Sequence, residues 1–204
     1  ADLIKSLSIE PALDGFQEYE MQLNSVQTIL ANTASKGEDI NSVNAALDEL
    51  NTYADQTIYN FSEMTRNIGT FTAAGVGLKD SVSAIKGLSN LAAASGSTSA
   101  QASTAMYQLS QAIATGTVRL MDWNSVVNAG MGGEQFQEAL KRTARVHGEA
   151  VDEAIAKEGS FRDSLQDGWL TSEVMLETLS LMTGDYSEEA IRAMGYTEEE
   201  TKAI

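Results

Sequence analysis

Cysteine is absent from the 204 residues, which excludes disulfide staples and thiolate metal sites and leaves the redox compartment unspecified. Proline occurs once, at Pro11. Because proline breaks helix interiors, its scarcity favours a helical architecture. Aromatic residues make up only 6%, so a core must be built mainly from Leu, Ile, Val, Met and Ala. Side chains of that size let helices approach closely. No apolar run reaches the roughly 18 residues of a membrane span. The start, ADLIKSLSIE, lacks the basic region and apolar block of a signal peptide.

Positive charge is also scarce. Thirteen basic residues face 29 acidic ones, for a formal charge of −16. Tight binding to a phosphate backbone needs clustered Lys and Arg. The closest cluster, Lys141, Arg142 and Arg145, falls on one helix and reads as a solvated face. Tight nucleic-acid binding is therefore not expected, nor is binding to an anionic membrane.

The composition that is present describes a folded protein. A hydrophobic content of 43% is enough for a core, and sixteen glycines argue against one uninterrupted rod. The chain is organised around Ile85 to Gly133. There two small-residue helical segments meet at Ser95-Gly96-Ser97, and Trp123 and a glycine cluster at Gly130, Gly132 and Gly133 follow. This stretch has almost no charge, so it belongs inside the fold or against a partner.

Ahead of it the periodicity is that of amphipathic helix. Phe16, Tyr19, Leu23, Val26 and Leu30 fall on one face between about Leu13 and Leu30. Ile40, Val43, Leu47, Leu50, Ala54, Thr57 and Phe61 repeat the alternation, with a coiled-coil-like seam. Two such stripes across a short turn predict a long antiparallel helical hairpin. Ser62 is placed to cap a further helix that buries Ile68 and Phe71, and Asp80 to cap one with Val82, Ile85, Leu88, Leu91 and Ala92 inward.

The C-terminal half breaks into shorter pieces. Ala102, Ala105, Met106, Leu109 and Ile113 form the inner face of a helix that stops near Gly116. Thr117 to Met121 is the best candidate for extended structure, with Asp122 capping a short helix that carries Trp123, Val126 and Val127. Glu134 to His147 carries Phe136, Leu140, Ala144 and Val146 and stops at Gly148. Helical pieces follow at Glu149 to Glu158, Phe161 to Gln166, after Thr171, and from Ser187. Thr197 with Glu200 forms a capping box. The expected fold is all-α and bundle-like: a heptad-like region over 1–76 and a compact small-residue-rich region over 77–204, divided mildly near Gly75 to Gly77. The lack of an initial Met and the ending TEEETKAI read as the ends of a piece of a longer protein.

Catalytic patterns are weak. His147, the one histidine, lies at a helix end, where a cation complements the helix dipole. No His-Glu-x-x-His, nucleophile elbow, P-loop or Asp-rich calcium loop is present, and no metal or cofactor is expected. The acidic pairs Asp152-Glu153 and Glu188-Glu189 and the run Glu198 to Glu200 read as solvated faces. Met194-Gly195-Tyr196 resembles the Met-Gly-aromatic loop of ubiquitin-associated domains, a packing device that recurs widely. The candidate partner interface is Trp123, Asn124, Asn128, Gly130, Gly132 and Gly133, then Trp169, because indole rings beside glycine turns can anchor an interface. The opposing reading makes both tryptophans core wedges.

At STAMYQLSQAIATGTVRLMDWNSVVNAGMGGEQFQEALKRTA the chain resembles the tape measure proteins of tailed phages and prophages. The resemblance extends back through FQEYEMQLNSVQTILANT and LDELNTYADQTIYNFSEMTRNIGTFTAAGVGL and forward through EGSFRDSLQDGWLTSEVMLETL and IRAMGYTEEE. It implies a virion protein and not an enzyme. Such proteins occupy the tail tube lumen, set tail length, and leave ahead of the DNA. The implied partners are tail tube, tail assembly chaperone and baseplate or tail-tip proteins, with self-association left open. The implied location is the phage tail, and the host cytoplasm during assembly. A ruler must be extended, and a chain with such frequent glycine stops should fold back on itself. Acidity suits a tube that must later pass DNA. The competing readings are a muramidase-like wall-degrading module and a helical peptide-binding module.

Overall fold

The computed structural model describes residues 24–204 apart from Ile58 and Tyr186. Among them the fold is all-α, and its extended pairing is an isolated antiparallel bridge between Thr117 and Thr171. Two compact units divide between Ile85 and Lys86.

In the first unit, α1 covers residues 24–33 and ends in a 3-10 turn, Ala34–Lys36. Phe16, Tyr19 and Leu23 of the predicted stripe lie outside the described residues. Its remainder is rotated: Val26 and Ile29 are buried, while Leu30 is half-buried. Helix α2, Ile40–Asp55, begins at a capping box in which Asp39 accepts from the Ser42 amide at 2.9 Å. Val43, Leu47 and Leu50 are fully buried, but Ile40 is exposed. The heptad-like pattern outruns this helix, which stops at Asp55. Thr57 lies in the following turn, and Phe61 opens α3, Phe61–Ala73. Asn60 caps α3, not Ser62, because its side chain reaches the Ser62 amide at 2.7 Å and the Glu63 amide at 3.3 Å. Helices α2 and α3 pack together, and Asn32 of α1 donates to Thr72 Oγ1 of α3 at 3.2 Å.

Helix α4, Leu78–Ala94, starts before Asp80, which therefore sits in the first turn instead of capping it. From Ser81 to Ala92 every residue except Ser83 is buried. A helix buried all round needs small or uncharged residues on every face. Lys86 is the one charged residue in that span, and its ammonium lies 3.6 Å from Asp185.

The second unit continues with α5, Ser99–Thr115; α6, Leu120–Asn128; α7, Glu134–Val146; α8, Val151–Glu158; α9, Phe161–Ser164; α10, Ser172–Ser180; α11, Glu188–Ala193; and α12, Glu198–Ala203. Left-handed glycines close α5 at Gly116, α7 at Gly148 and α8 at Gly159. The inner face of α5 matches its prediction, with Ala102, Ala105, Met106, Leu109 and Ile113 buried. The α5–α6 connection is shorter in extended residues than expected. Val118 donates to the Leu170 carbonyl at 2.8 Å, and Ser172 to that of Gly116 at 2.9 Å, but Leu120 and Met121 are already helical. Asp122 caps from the third helical position, accepting from the Arg119 amide at 3.0 Å. Val127 and Val146, expected inward, are exposed.

Helices α5 and α6 pack closely, as do α8 with α9 and α7 with α10. Between α7 and α10, Thr178 donates to Thr143 Oγ1 at 2.9 Å within the core. The three basic residues of α7 are engaged within the fold. Lys141 pairs with Glu138, Arg145 holds Asp152 at 2.8 and 2.9 Å, and Arg142 donates to the Ala193 carbonyl at 3.2 Å.

Candidate partner-binding site

Helix α6 divides its residues by face. Trp123 and Val126 point inward and are buried, with Trp123 only 2% exposed. Met121, Val127 and Asn128 face outward, and Asn124 is half-buried beside them. Met121 is 78% exposed. These outward positions recur at helical spacing and form one continuous ridge.

The end of α6 is set by glycine chemistry. Gly130 has φ of 79°, a left-handed conformation that a side chain disfavours. There the Met131 amide reaches the Val126 carbonyl at 3.0 Å and the Gly130 amide reaches that of Val127 at 2.9 Å. This pair of bonds is a Schellman stop, and the buried Met131 supplies its apolar contact. The Ser95-Gly96-Ser97 turn closes onto the same place, with Ser97 Oγ donating to the Ala129 carbonyl. The turn inside the organising stretch is thus joined to the stretch's C-terminal end.

Gly132 is required for a different reason. A Cβ built there lies 2.8 Å from Val127 Cγ2, so the chain folds back against α6 and fixes that valine. Gly133 is the N-cap of α7, and Gln137 Nε2 donates to the Gly132 carbonyl at 2.8 Å. Asn128, Gly130 and Gly133 are exposed.

The tryptophans do something else. Trp169 is 2% exposed, and its indole N–H donates to Ser164 Oγ at 2.9 Å. Phe161 stands between the two indoles, with ring centroids 5.0 Å from Trp123 and 5.4 Å from Trp169. Phe136 stacks on Trp123 at 5.9 Å. Edge and offset contacts at these distances are favourable beyond area burial. The structure therefore brings Trp123 and Trp169 together as a buried cluster that fixes α6, α7, α9 and the turn after Asp167. It brings Asn124, Asn128, Gly130 and Gly133 together on the surface above.

Sequence reasoning missed Met121 and Val127 on that surface: Val127 read as core, and Met121 as the end of an extended stretch. Helical phase was the available signal for Met121, which lies across α6 from Trp123 and Val126; Val127 is one turn from Trp123, so its exposure is set by the surrounding fold and not by phase. Met194 and Tyr196 are buried, so the Met-Gly-Tyr turn packs inward. Burial also holds the Tyr196 hydroxyl above its usual pKa.

A cleft of about 220 Å³ lies beside the aromatic cluster, lined by Glu149, Glu153, Lys157, Asp167 and Trp169 with two alanines. Lys157 is 3.7 Å from Asp167. Among the described residues no group of three or more His, Asp or Glu side chains is arranged to hold a metal ion. None of the described helices is long and apolar enough to cross a membrane.

No curated protein and no solved structure matches the chain. The family model described as "Tape measure protein" matches residues 11–202, nearly the whole chain. On that match the chain belongs to the tape measure proteins, the structural proteins that set the length of phage tails.

Proposed function

We propose that this segment is a folded assembly module of its tape measure protein and not the ruler itself. The observation that carries the reading is helix length. Among the described residues the longest helices, α4 and α5, have 17 residues each. At 1.5 Å per residue each spans only about 26 Å before the chain turns. Within residues 86–204 the chain returns on itself repeatedly, through Ser97 and Ala129, Val118 and Leu170, and Asn90 and Met182. A module of this kind works through protein contacts. Its partners are tail tube, tail assembly chaperone and baseplate or tail-tip proteins, met first in the host cytoplasm during assembly. The exposed ridge of Met121, Asn124, Val127 and Asn128 with the Gly130 to Gly133 turn is the surface for such a contact.

Tail length tests the reading. Deleting Ser99 to Gly133 from a helical ruler shortens the tail by roughly 50 Å. In a folded module the same deletion removes the centre of the core. The expected result is failed assembly with no population of proportionately shorter tails. Infectious phage with tails shortened in proportion would overturn it.

The module is non-enzymatic in this reading. The cleft of Glu149, Glu153 and Asp167 is the place where a wall-degrading activity would reside. Hydrolysis of peptidoglycan by the purified chain, abolished by Glu153→Gln, would establish the enzymatic alternative instead.

A further inference from the structure

Polar bonds tie the last two helices to each other and scarcely to the rest of the fold. Helices α11 and α12 have six residues each and pack together across the Gly195 turn. Their ion pairs are internal: Arg192 lies 3.6 Å from Glu188 and 3.9 Å from Glu198, and Lys202 lies 3.1 Å from Glu198. Their caps are internal too. Ser187 Oγ accepts from the Ala190 amide at 3.2 Å, and Thr197 and Glu200 exchange bonds at 3.0 and 3.1 Å. Among the described residues, one hydrogen bond joins 187–204 to the body, from Arg142 to the Ala193 carbonyl, and it is exposed. The remaining hold is apolar, through the buried Ile191, Met194, Tyr196 and Ile204. Burial of Tyr196 is imperfect, because its enclosed hydroxyl has no hydrogen-bond partner. A buried donor without an acceptor gives up water and gains nothing in exchange. The chain just ahead is held differently. Asn90 and Lys86 of α4 engage the Met182 carbonyl and Asp185, and Gly184, with φ of 87°, turns the chain there.

We propose that residues 187–204 form a strap that opens and closes as one unit about Gly184 while the remainder of residues 86–204 stays folded. Opening breaks no ion pair, since those pairs travel with the strap. It gives up one exposed hydrogen bond, which water replaces at the Ala193 carbonyl. It also hydrates the Tyr196 hydroxyl, which offsets part of the apolar area exposed. Small elements with few buried bonds to their surroundings open well below the free energy of global unfolding. The body is built otherwise, with buried side-chain bonds from Thr178 to Thr143 and from Trp169 to Ser164. The open form bares Ile191, Met194, Tyr196 and Ile204, which the closed form covers. The strap therefore controls when that apolar surface is available.

Native-state hydrogen exchange of the whole chain, read amide by amide across low denaturant, tests the strap. The Met194, Thr201 and Ile204 amides bond within it, to the Ile191, Thr197 and Glu200 carbonyls. They should share one opening free energy and one shallow denaturant dependence, both below those of the slowest α5 amides. Tyr196→Phe should slow exchange at all three about tenfold, because the orphaned hydroxyl is gone. Ser164→Ala should speed the slowest α5 amides about tenfold or more and leave the three strap amides unchanged, since these exchange without the body opening. Strap amides that follow α5 in free energy, in denaturant dependence or in response to Ser164→Ala overturn the proposal. It is equally overturned if α11 and α12 open independently of each other or exchange at the unprotected rate. A Tyr196→Phe strap that exchanges as fast as the wild type, or faster, also overturns it.

Discussion

Gly87 and Leu179 meet backbone to backbone. A methyl group built on Gly87 overlaps the Leu179 carbonyl oxygen and lies 2.8 Å from its carbon. The neighbours of Gly87 on α4 complete a clamp on the end of α10. Asn90 donates to the Met182 carbonyl at 2.7 Å, and Lys86 faces Asp185 at 3.6 Å. An amide and a cation both complement the carbonyl-rich end of a helix.

Two glycines in helix interiors should therefore respond oppositely to alanine. Gly87→Ala must force α4 and α10 apart, and overpacking of this kind costs about 1–3 kcal/mol. Gly69 of α3 has nothing within 4 Å of a built Cβ and an ordinary helical φ. Gly69→Ala should stabilise by about 0.5–1 kcal/mol, since glycine weakens helix interiors. Chemical denaturation of the two variants reads both signs, and a stabilised Gly87→Ala would refute the close approach.

Much of this was legible in sequence, and the gaps have physical causes. The buried face of α5 follows from period alone, whereas α4 is buried on faces beyond the stripe that its period marks. Glycine stops and the capping box at Thr197 follow from local chemistry, which acts within a few residues. Gly87 could not be distinguished from Gly69, because what separates them is a carbonyl of another helix, remote in sequence. Thr57 and Phe61 continue the heptad spacing of α2 although the helix ends at Asp55, because the Asn60 cap outweighs hydrophobic period. At the candidate site the glycine cluster and Trp123 were visible as special. Their division of labour, ring inside and ridge outside, needed the phase of α6, which starts at Leu120 and not after Asp122.

Ser164→Ala isolates the buried bond to the indole. Ser164 is fully buried, and its hydroxyl is the partner of the Trp169 N–H. Removing it leaves a buried donor without an acceptor, at a cost of about 1–3 kcal/mol. Trp169→Phe in the Ser164→Ala background should recover part of that loss, because the orphaned donor goes with it. Additivity of the two substitutions in a double-mutant cycle would argue against the bond.

Stability should peak in mild acid. The Glu177 carboxylate hydrogen-bonds His147 and raises its pKa above the ordinary 6.5, with Glu173 and Glu149 adding to the field. A raised folded pKa contributes fully below 6.5 and is lost as pH climbs through the folded value. On the acid side, the Ser42 amide lowers Asp39 and Arg145 lowers Asp152, both from 3.8. Those contributions hold above 3.8 and vanish as pH falls through the lowered values. The midpoint of thermal unfolding should be highest between these limits and decline above neutrality. Glu177→Gln should flatten the decline above neutrality while leaving the acid limb in place.

Trp123→Ala and Asn128→Arg separate folding from assembly. Trp123 lies between Phe136 and Phe161 and is 2% exposed, so its truncation opens a large cavity and should cost about 3–5 kcal/mol. Marginal stability makes that enough to unfold much of the protein. Asn128 is exposed on the ridge, and its arginine variant should keep the wild-type unfolding free energy within about 0.5 kcal/mol. If the ridge meets a tail protein, Asn128→Arg reduces the yield of complete tails although the chain folds normally. Electron microscopy of lysates counts those tails, and circular dichroism of the purified chain reports its folding. Wild-type yields with Asn128→Arg, Asn124→Arg and Met121→Glu alike would remove the ridge as a partner surface and leave α6 a purely internal element.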